Sequence, residues 1–174
     1  MATDCITKLR VNIAGADAQT VRKLALYYGR GVSADSVQAA NWPLDGSAQT
    51  PRKMVKSLAG APEVQWELWD LTTDIPSETR KILHPLAQAL IMICAGPDEA
   101  NGWVAEFRAV NTSAPIALVL LSGASGDSFS GFDTTTAVGV YYFDEFNGRG
   151  VDAIFEAVAC AVLAPAAGKR CLIQ

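Results

Sequence analysis

The last four residues, Cys171-Leu172-Ile173-Gln174, carry the most specific chemical signal in the sequence. A cysteine four positions from the end and followed by two aliphatic residues is the pattern that prenyl transferases modify, and a final Gln is associated with farnesylation. One lipid and the basic pair before it give only marginal membrane affinity. We therefore expect Cys171 to be lipidated and to act with a partner or second signal; the alternative is an unmodified tail.

The other cysteines and the single histidine lack the spacing of a metal or catalytic site. Cys5, Cys94 and Cys160 form no C-x-x-C pair, and one histidine does not complete a typical zinc set. We expect these three thiols to be buried, because their neighbours are apolar. His84 stands before Pro85 without a nucleophile motif, so we expect a surface histidine and no hydrolytic triad.

Length and composition are those of one folded domain. The chain has 174 residues, of which 18% are charged, and a formal charge of -4. We expect a domain over residues 1–164 and a flexible tail over 165–174. The absence of a basic block argues against a nucleic-acid partner. The beginning of the chain shows no signal-peptide pattern, so we expect a cytoplasmic protein, with membrane association only through the prenyl group.

Strand-like and helix-like patterns alternate along the chain. We predict strands over 6–14, 54–58, 64–69, 90–94, 116–121 and 138–143, and helices over 20–28, 98–110 and 151–163, with an irregular helix within 72–88. The segments 29–50 and 122–136 have loop composition. This alternation predicts a three-layer α/β fold, with a mainly parallel six-stranded sheet, one antiparallel edge hairpin and helices on both faces.

The order of these segments resembles the Ras/Rab small-GTPase family from about residue 6 to 164. The matching segments are KLRVNIAG (Lys8–Gly15), MVKSLAGAPEVQWELWD (Met54–Asp70), ALIMICAG (Ala89–Gly96), Trp103, PIALVLL (Pro115–Leu121) and GRGVDAIFEAV (Gly148–Val158). Each segment is weakly specific, but the ordered set is more specific. The resemblance implies a GTP-binding fold with a phosphate-binding loop after the first strand.

That loop has lost most of its motif. A phosphate loop needs G-x-x-x-x-G-K-[ST], in which backbone N–H groups and the Lys bind phosphate and the hydroxyl binds Mg²⁺. The aligned segment reads GADAQTVR. Gly15 remains, whereas Thr20, Val21 and Arg22 replace the second Gly, the Lys and the hydroxyl residue. Asp17 also places a carboxylate where phosphate would bind.

The remaining nucleotide motifs that the resemblance implies are also incomplete. In D-x-x-G, Asp70 is present but Thr73 replaces the Gly, and Asp74 replaces the usual water-positioning Gln. The guanine-binding Asp is absent from Ser122–Ser125, and the late S-A-K motif is not kept near Glu145. Gly15 and Asp70 are therefore expected to be vestigial, and we expect no cofactor, with GTP or GDP and Mg²⁺ only if unusual contacts replace the lost ones.

The resemblance also implies candidate partner-binding positions. Outward aromatic residues form a binding patch in the Rab branch, and the matching positions here are Trp69, His84 and Arg52. In the predicted strand 64–69, Trp69 lies on the face opposite Val64. It is expected to be either a contact for another protein or a residue covered by the loop 29–50.

Three functional hypotheses follow. The first is a pseudo-GTPase that acts as a lipid-tethered interaction, trafficking or signalling adaptor. The second is a divergent small GTPase that still binds or hydrolyses GTP. The third is a structural subunit of a larger complex in which the final tetrapeptide is incidental. The lost motif residues favour the first hypothesis over catalysis, because positioning and metal supply most of the rate in phosphoryl transfer.

Overall fold

A computed structural model of the protein describes residues 7–29, 52–57, 63–121 and 137–163. The expected lipidation site Cys171, the tail 165–174 and the loop 122–136 lie outside the described residues, as do Cys5 and all but the first residue of the loop 29–50.

Six strands form one sheet. They are β1 (Thr7–Gly15), β2 (Arg52–Ser57), β3 (Glu63–Thr72), β4 (Ala89–Cys94), β5 (Ile116–Leu121) and β6 (Ala137–Phe143). Their order across the sheet is β2-β3-β1-β4-β5-β6. The β2–β3 pair is antiparallel and the other pairs are parallel. The predicted mainly parallel sheet with one antiparallel edge hairpin is therefore confirmed.

Helices cover both faces of the sheet. They are α1 (Ala18–Tyr28), α2 (Ser77–Leu83), α3 (Pro97–Arg108) and α4 (Val151–Leu163), with a 3₁₀ turn at His84–Leu86 directly after α2. Helices α1 and α4 contribute to one apolar core, and α3 contributes to a second core on the opposite face. The three-layer α/β class is confirmed. Within the described ranges, none of these helices combines the length and apolar character needed to cross a membrane.

Apolar sequence runs explain the central strands. Every residue of β4 is buried, and all but the last residue of β5 are buried. A parallel strand covered by helices on both faces buries consecutive side chains, which produces the continuous runs in the sequence. The edge strand β6 instead alternates between more and less exposed residues.

Three aromatic side chains join the first core. The rings of Tyr28 and Phe155 stack at 3.7 Å between centroids. Both meet the Trp66 ring edge-on, at 5.4 and 5.2 Å. Because these residues belong to α1, α4 and β3, this aromatic cluster fixes two helices to the sheet through large buried side chains.

One difference from the predicted boundaries bears on function. Helix α1 begins at Ala18 and not at the predicted Thr20. The chain therefore turns within Ala16 and Asp17 between β1 and α1. An early helix start leaves a short turn where the resemblance implied a phosphate-binding loop.

Candidate functional site

The turn after β1 is hydrogen-bonded internally through the side chain of Asp17. Asp17 has extended backbone angles and is the N-cap of α1. Its carboxylate accepts hydrogen bonds from the backbone N–H groups of Gln19 at 3.2 Å and Thr20 at 3.0 Å, and from the Thr20 hydroxyl. The first amides of a helix are the groups that bind anions in phosphate loops. Here Asp17 already occupies two of them.

These contacts keep the Asp17 carboxyl ionised. The Thr20 hydroxyl hydrogen bond, aided by the two backbone amides and the nearby Lys23 ammonium, outweighs partial burial and lowers the pKa of Asp17 below its ordinary value. A charged carboxylate at a helix N-terminus is itself favourable, because it faces the positive end of the helix dipole. The turn therefore carries a stable negative charge.

A second carboxylate binds the same turn from α3. Glu99 lies in the first turn of α3. Its carboxylate accepts from the backbone N–H of Ala16 at 3.0 Å and from that of Ala95 at 3.1 Å. Glu99 thus bridges the carboxyl ends of β1 and β4. With Asp17, it places two carboxylates on the backbone amides around the turn.

The segment after β3 also contacts the turn. The Thr73 hydroxyl donates to the backbone carbonyl of Ala16 at 3.3 Å. Thr73 stands where the resemblance implies a glycine that senses the terminal phosphate. The two segments that would lie on either side of a phosphate are instead hydrogen-bonded to one another.

The residues at the motif positions are explained by packing. Val21 is completely buried and belongs to the first core, and Thr20 is 3% exposed. A Cβ atom on Gly15 would lie 3.0 Å from the Ile93 carbonyl oxygen and 3.1 Å from the Val21 side chain. A side chain here would force neighbouring atoms to move by a few tenths of an ångström, so close packing favours glycine at this position without any role in phosphate binding.

The loop after β6 forms the other rim of the turn. Lys23 of α1 makes an ion pair with Glu145 at 3.0 Å, and the Tyr27 hydroxyl donates to the Phe146 carbonyl at 2.7 Å. These contacts hold the loop on α1 and leave the Phe146 side chain 82% exposed. The rim therefore presents a large apolar side chain to solvent.

Asp70 lies near the carboxyl end of β3, opposite Ile13 of β1, and is partly buried. The aspartate kept from the implied D-x-x-G motif is therefore part of a regular parallel ladder. Over the described ranges, no group of three His, Cys, Asp or Glu side chains is arranged to hold a metal ion.

The expectation that His84 lies on the surface is wrong. Its side chain is completely buried in the 3₁₀ turn after α2. The imidazole Nδ1 lies 3.2 Å from the Asn12 side-chain amide nitrogen, and Nε2 lies 3.2 Å from Glu106 Oε1. Burial is possible because neighbouring side chains satisfy both ring nitrogens. The His84 ring is not available to a partner in this structure.

Trp69 and His84 do not form an exposed aromatic patch. Trp69 lies opposite Asn12 in the β1–β3 register and packs, partly buried, against the second core. Arg52 begins β2 and pairs with Leu68 in the antiparallel ladder. Trp69 and His84 are therefore both neighbours of Asn12. The prediction that Trp69 lies on the face of the strand opposite Val64 is confirmed, and that face is covered by the second core.

The most informative residues of this region, Glu99 and Glu106, were not among the predicted site residues. Both lie on α3, in the segment after β4. Glu99 has a recognisable signal, since acidic residues at the start of a helix that follows a parallel strand face the same sheet edge as the other strand ends. Glu106 has no such signal, because its partners are set by tertiary packing.

Comparison with known proteins leaves the chain unassigned: no protein-family model matches it, and no curated protein matches its sequence.

Proposed function

We propose that this protein is a pseudo-GTPase, a small-GTPase-like domain that binds other proteins and does not use nucleotide. The proposal rests on the resemblance noted in the sequence and on one structural observation. Three backbone amides of the segment aligned with the phosphate loop, those of Ala16, Gln19 and Thr20, are bound by the carboxylates of Asp17 and Glu99. The chain supplies its own anions in place of the nucleotide's.

The interaction energies of these carboxylates oppose nucleotide binding at the turn after β1. A hydrogen bond to a charged group contributes roughly 1.5–3 kcal/mol, so a nucleotide would have to replace several such bonds before gaining any affinity. Each carboxylate left in place would repel a phosphate charge by about 4 kcal/mol at a separation of about 4 Å and an effective dielectric constant of about 20. Micromolar affinity corresponds to about 8 kcal/mol in total. The repulsion from the two carboxylates is therefore as large as the whole binding free energy of a micromolar nucleotide.

Hydrolysis is disfavoured for a separate reason. Phosphoryl transfer depends on a Lys, a metal ion and a positioned water. The position implied for the Lys holds Val21, which is completely buried. Thr73 and Asp74 occupy the positions implied for the phosphate sensor and the water-positioning Gln.

Calorimetry tests the proposal directly. Titration of the full chain with GDP or GTP in Mg²⁺ buffer is expected to give no binding heat up to about 1 mM nucleotide. A Kd of about 1 mM corresponds to a binding free energy of about 4 kcal/mol, so any binding must be weaker than that. Micromolar binding would overturn the proposal. If the Asp70→Asn variant then weakened that binding, the protein would be the divergent GTPase of the second hypothesis.

The expected partner is another protein, and exposed apolar side chains support this. Phe146 is 82% exposed and Ile82 is 70% exposed, although most large apolar residues of the described chain are buried. Purification from its own cells is expected to recover a stoichiometric protein partner. Recovery by both the native chain and Cys171→Ser would favour the structural-subunit hypothesis over a lipid-dependent adaptor.

Membrane tethering through Cys171 stays a prediction from the sequence and is separable from the loss of nucleotide binding. Mass spectrometry of protein from cells that contain the transferase is expected to find a farnesyl group on Cys171. If Cys171 is unmodified in those cells, the proposed lipid tether is refuted, whereas the proposed role in protein binding stands.

A further inference from the structure

The two edge strands of the described sheet differ in charge. Strand β2 forms one edge, and its sequence RKMVKS contains the basic residues Arg52, Lys53 and Lys56. Strand β6 forms the other edge, and its sequence AVGVYYF contains no charged residue and no proline. Charged residues and prolines are the usual protection of a sheet edge against pairing with another strand. The sequence therefore gives this protection to β2 and not to β6.

The second half of β6 is a regular strand. Among the described strands, β6 pairs only with β5. The ladder shifts register near the beginning of β6, between Ala137 and Gly139, and then runs regularly to Phe143. Peptide groups alternate between the two edges of a strand, so about half of those in Gly139–Phe143 point away from β5. These groups can form a second ladder.

One face of the same segment carries exposed apolar side chains. Phe143 belongs to the first core and Tyr141 packs against it, so Val140 and Tyr142 lie on the opposite face of the strand. Val140 is 37% exposed and Tyr142 is 55% exposed. A strand that pairs with β6 would remove part of both side chains from water, which is favourable for apolar surface.

A second copy of β6 complements the first. In an antiparallel pair with its two-fold axis at Tyr141, each Val140 lies opposite Tyr142 of the other copy. Cross-strand pairs of an aromatic and a β-branched residue are favourable, and this register places no two charges opposite each other. Two copies of β2 paired in the same way would bring Lys53 against Lys56. Charge therefore selects β6 as the edge at which two copies, each with a formal charge of -4, can meet.

We propose that this protein forms a symmetric homodimer in which the β6 strands of two copies pair antiparallel, so that one sheet continues through both copies. Because the same surface of each copy is used, the assembly closes at two copies. So short a strand pair buries less than the roughly 1,200 Å² of a standard interface, and the dimer is expected to be weak, with a Kd above about 10 μM. The pairing is independent of nucleotide binding and of Cys171.

Sedimentation equilibrium of the full chain from about 10 μM to about 1 mM tests the dimer. The mean mass is expected to rise from that of the monomer toward that of the dimer and no further. A monomer throughout this range, or growth beyond the dimer, would overturn the proposal.

Hydrogen exchange measured by NMR over the same concentrations locates the contact. Alternate amides of Gly139–Phe143 are expected to gain protection as the dimer forms, whereas those of β2 should not change. Protection gained elsewhere instead would contradict the pairing. Protection of every amide of Gly139–Phe143 already in the monomer would also contradict it, because another segment of the chain would then cover this edge.

Substitutions at the facing positions test the register. Val140→Lys alters both Val–Tyr pairs of the homodimer, as does Tyr142→Glu, and each is expected to raise the Kd roughly tenfold. The matched control Val110→Lys changes a valine of similar exposure, 39%, beyond α3 and adds the same charge, and it should leave the Kd unchanged. An unchanged Kd for Val140→Lys, or an equal loss for the control, would refute the interface.

A mixture of the two variants gives the sharpest test. Equal amounts of Val140→Lys and Tyr142→Glu are expected to associate like the native chain, because the introduced ammonium and carboxylate face each other while the second Val–Tyr pair is intact. No recovery in the mixture, with both variants folded, would show that the register is wrong. If either variant does not fold, the exchange pattern of the native chain decides.

Discussion

Helices α1 and α2 both follow strands that end at the candidate site, but they are held by different forces. Helix α1 buries Thr20, Val21, Leu24, Ala25 and Tyr28, whereas α2 buries none of its residues. The apolar face of α1 is insensitive to pH, and its packing is part of the domain core. The attachment of α2 depends on ionised and hydrogen-bonded groups. We therefore expect α1 to keep its position when the pH changes and the attachment of α2 to respond to such changes.

The two kinds of attachment have similar strength per contact at neutral pH. Burying a large apolar side chain contributes roughly 1.5–3 kcal/mol. A hydrogen bond to a charged group contributes a similar amount, but only while both groups keep their protonation states. The two helices are therefore expected to differ in how strongly their attachment depends on pH. Substitutions in the contacts of α1 and in those of α2 test this difference.

The largest expected effect is on the α1 side. Phe155→Ala removes the ring that stacks on Tyr28 at 3.7 Å and leaves a cavity between α1, α4 and β3. The free energy of unfolding should fall by about 3–5 kcal/mol in urea denaturation. The exposed control Phe146→Ala should change it by less than about 0.5 kcal/mol. A small loss for Phe155→Ala would show that the aromatic cluster does not fix α1.

On the α2 side, Glu106→Gln should act locally. Glu106 of α3 accepts from the Ser77 hydroxyl at 3.0 Å and from Arg80 Nε and Nη2 at 2.7 and 2.9 Å. The amide retains one acceptor oxygen but loses the charge that pairs with Arg80, which weakens α2 attachment by about 1–3 kcal/mol. Opening of α2 measured by hydrogen exchange should increase, with little change in β4. The control Glu78→Gln removes an exposed pair and should have almost no effect. Equal destabilisation of both elements by Glu106→Gln would contradict a local role.

The same variant should change the acid response. Arg80, with smaller contributions from Ser77 and His84, lowers the pKa of Glu106 from 4.5 to about 2. A depressed carboxyl pKa contributes stability that is fully present above pH 4.5 and is lost as the pH falls toward 2. The native chain should therefore lose stability across that window, and Glu106→Gln should lose less. Parallel acid titrations of the two chains would contradict this assignment.

The strands of the sheet and helix α1 were largely predictable from the sequence. The apolar runs of β4 and β5 and the hairpin of β2 and β3 are local patterns, and each predicted a strand that the structure contains. The start of α1 differs from the predicted Thr20 by two residues. An Asp immediately before the first helical residue is an N-cap pattern, and Asp17 stands in that position.

The contacts that hold α2 and the turn after it were not predictable, because the residues that make them are distant in the sequence. His84 contacts Asn12, which is 72 residues away, and Glu106, which is 22 residues away. No periodicity connects these positions. The sequence predicted a surface histidine, because His84 stands alone before Pro85 without a motif that would give it partners. Only tertiary packing brings the two hydrogen-bonding partners to the ring.

The smallest expected effect separates the polar cap of α1 from its apolar face. Asp17→Ala removes the acceptor for the Gln19 and Thr20 amides and should cost about 1 kcal/mol in urea denaturation. Asp17→Asn keeps a capping oxygen without the charge and should be nearly neutral. In both variants, α1 should retain its protection from hydrogen exchange, because its buried face is unchanged. Loss of protection along α1 in Asp17→Ala would show that α1, like α2, depends on a carboxylate, and the contrast between the two helices would then fail.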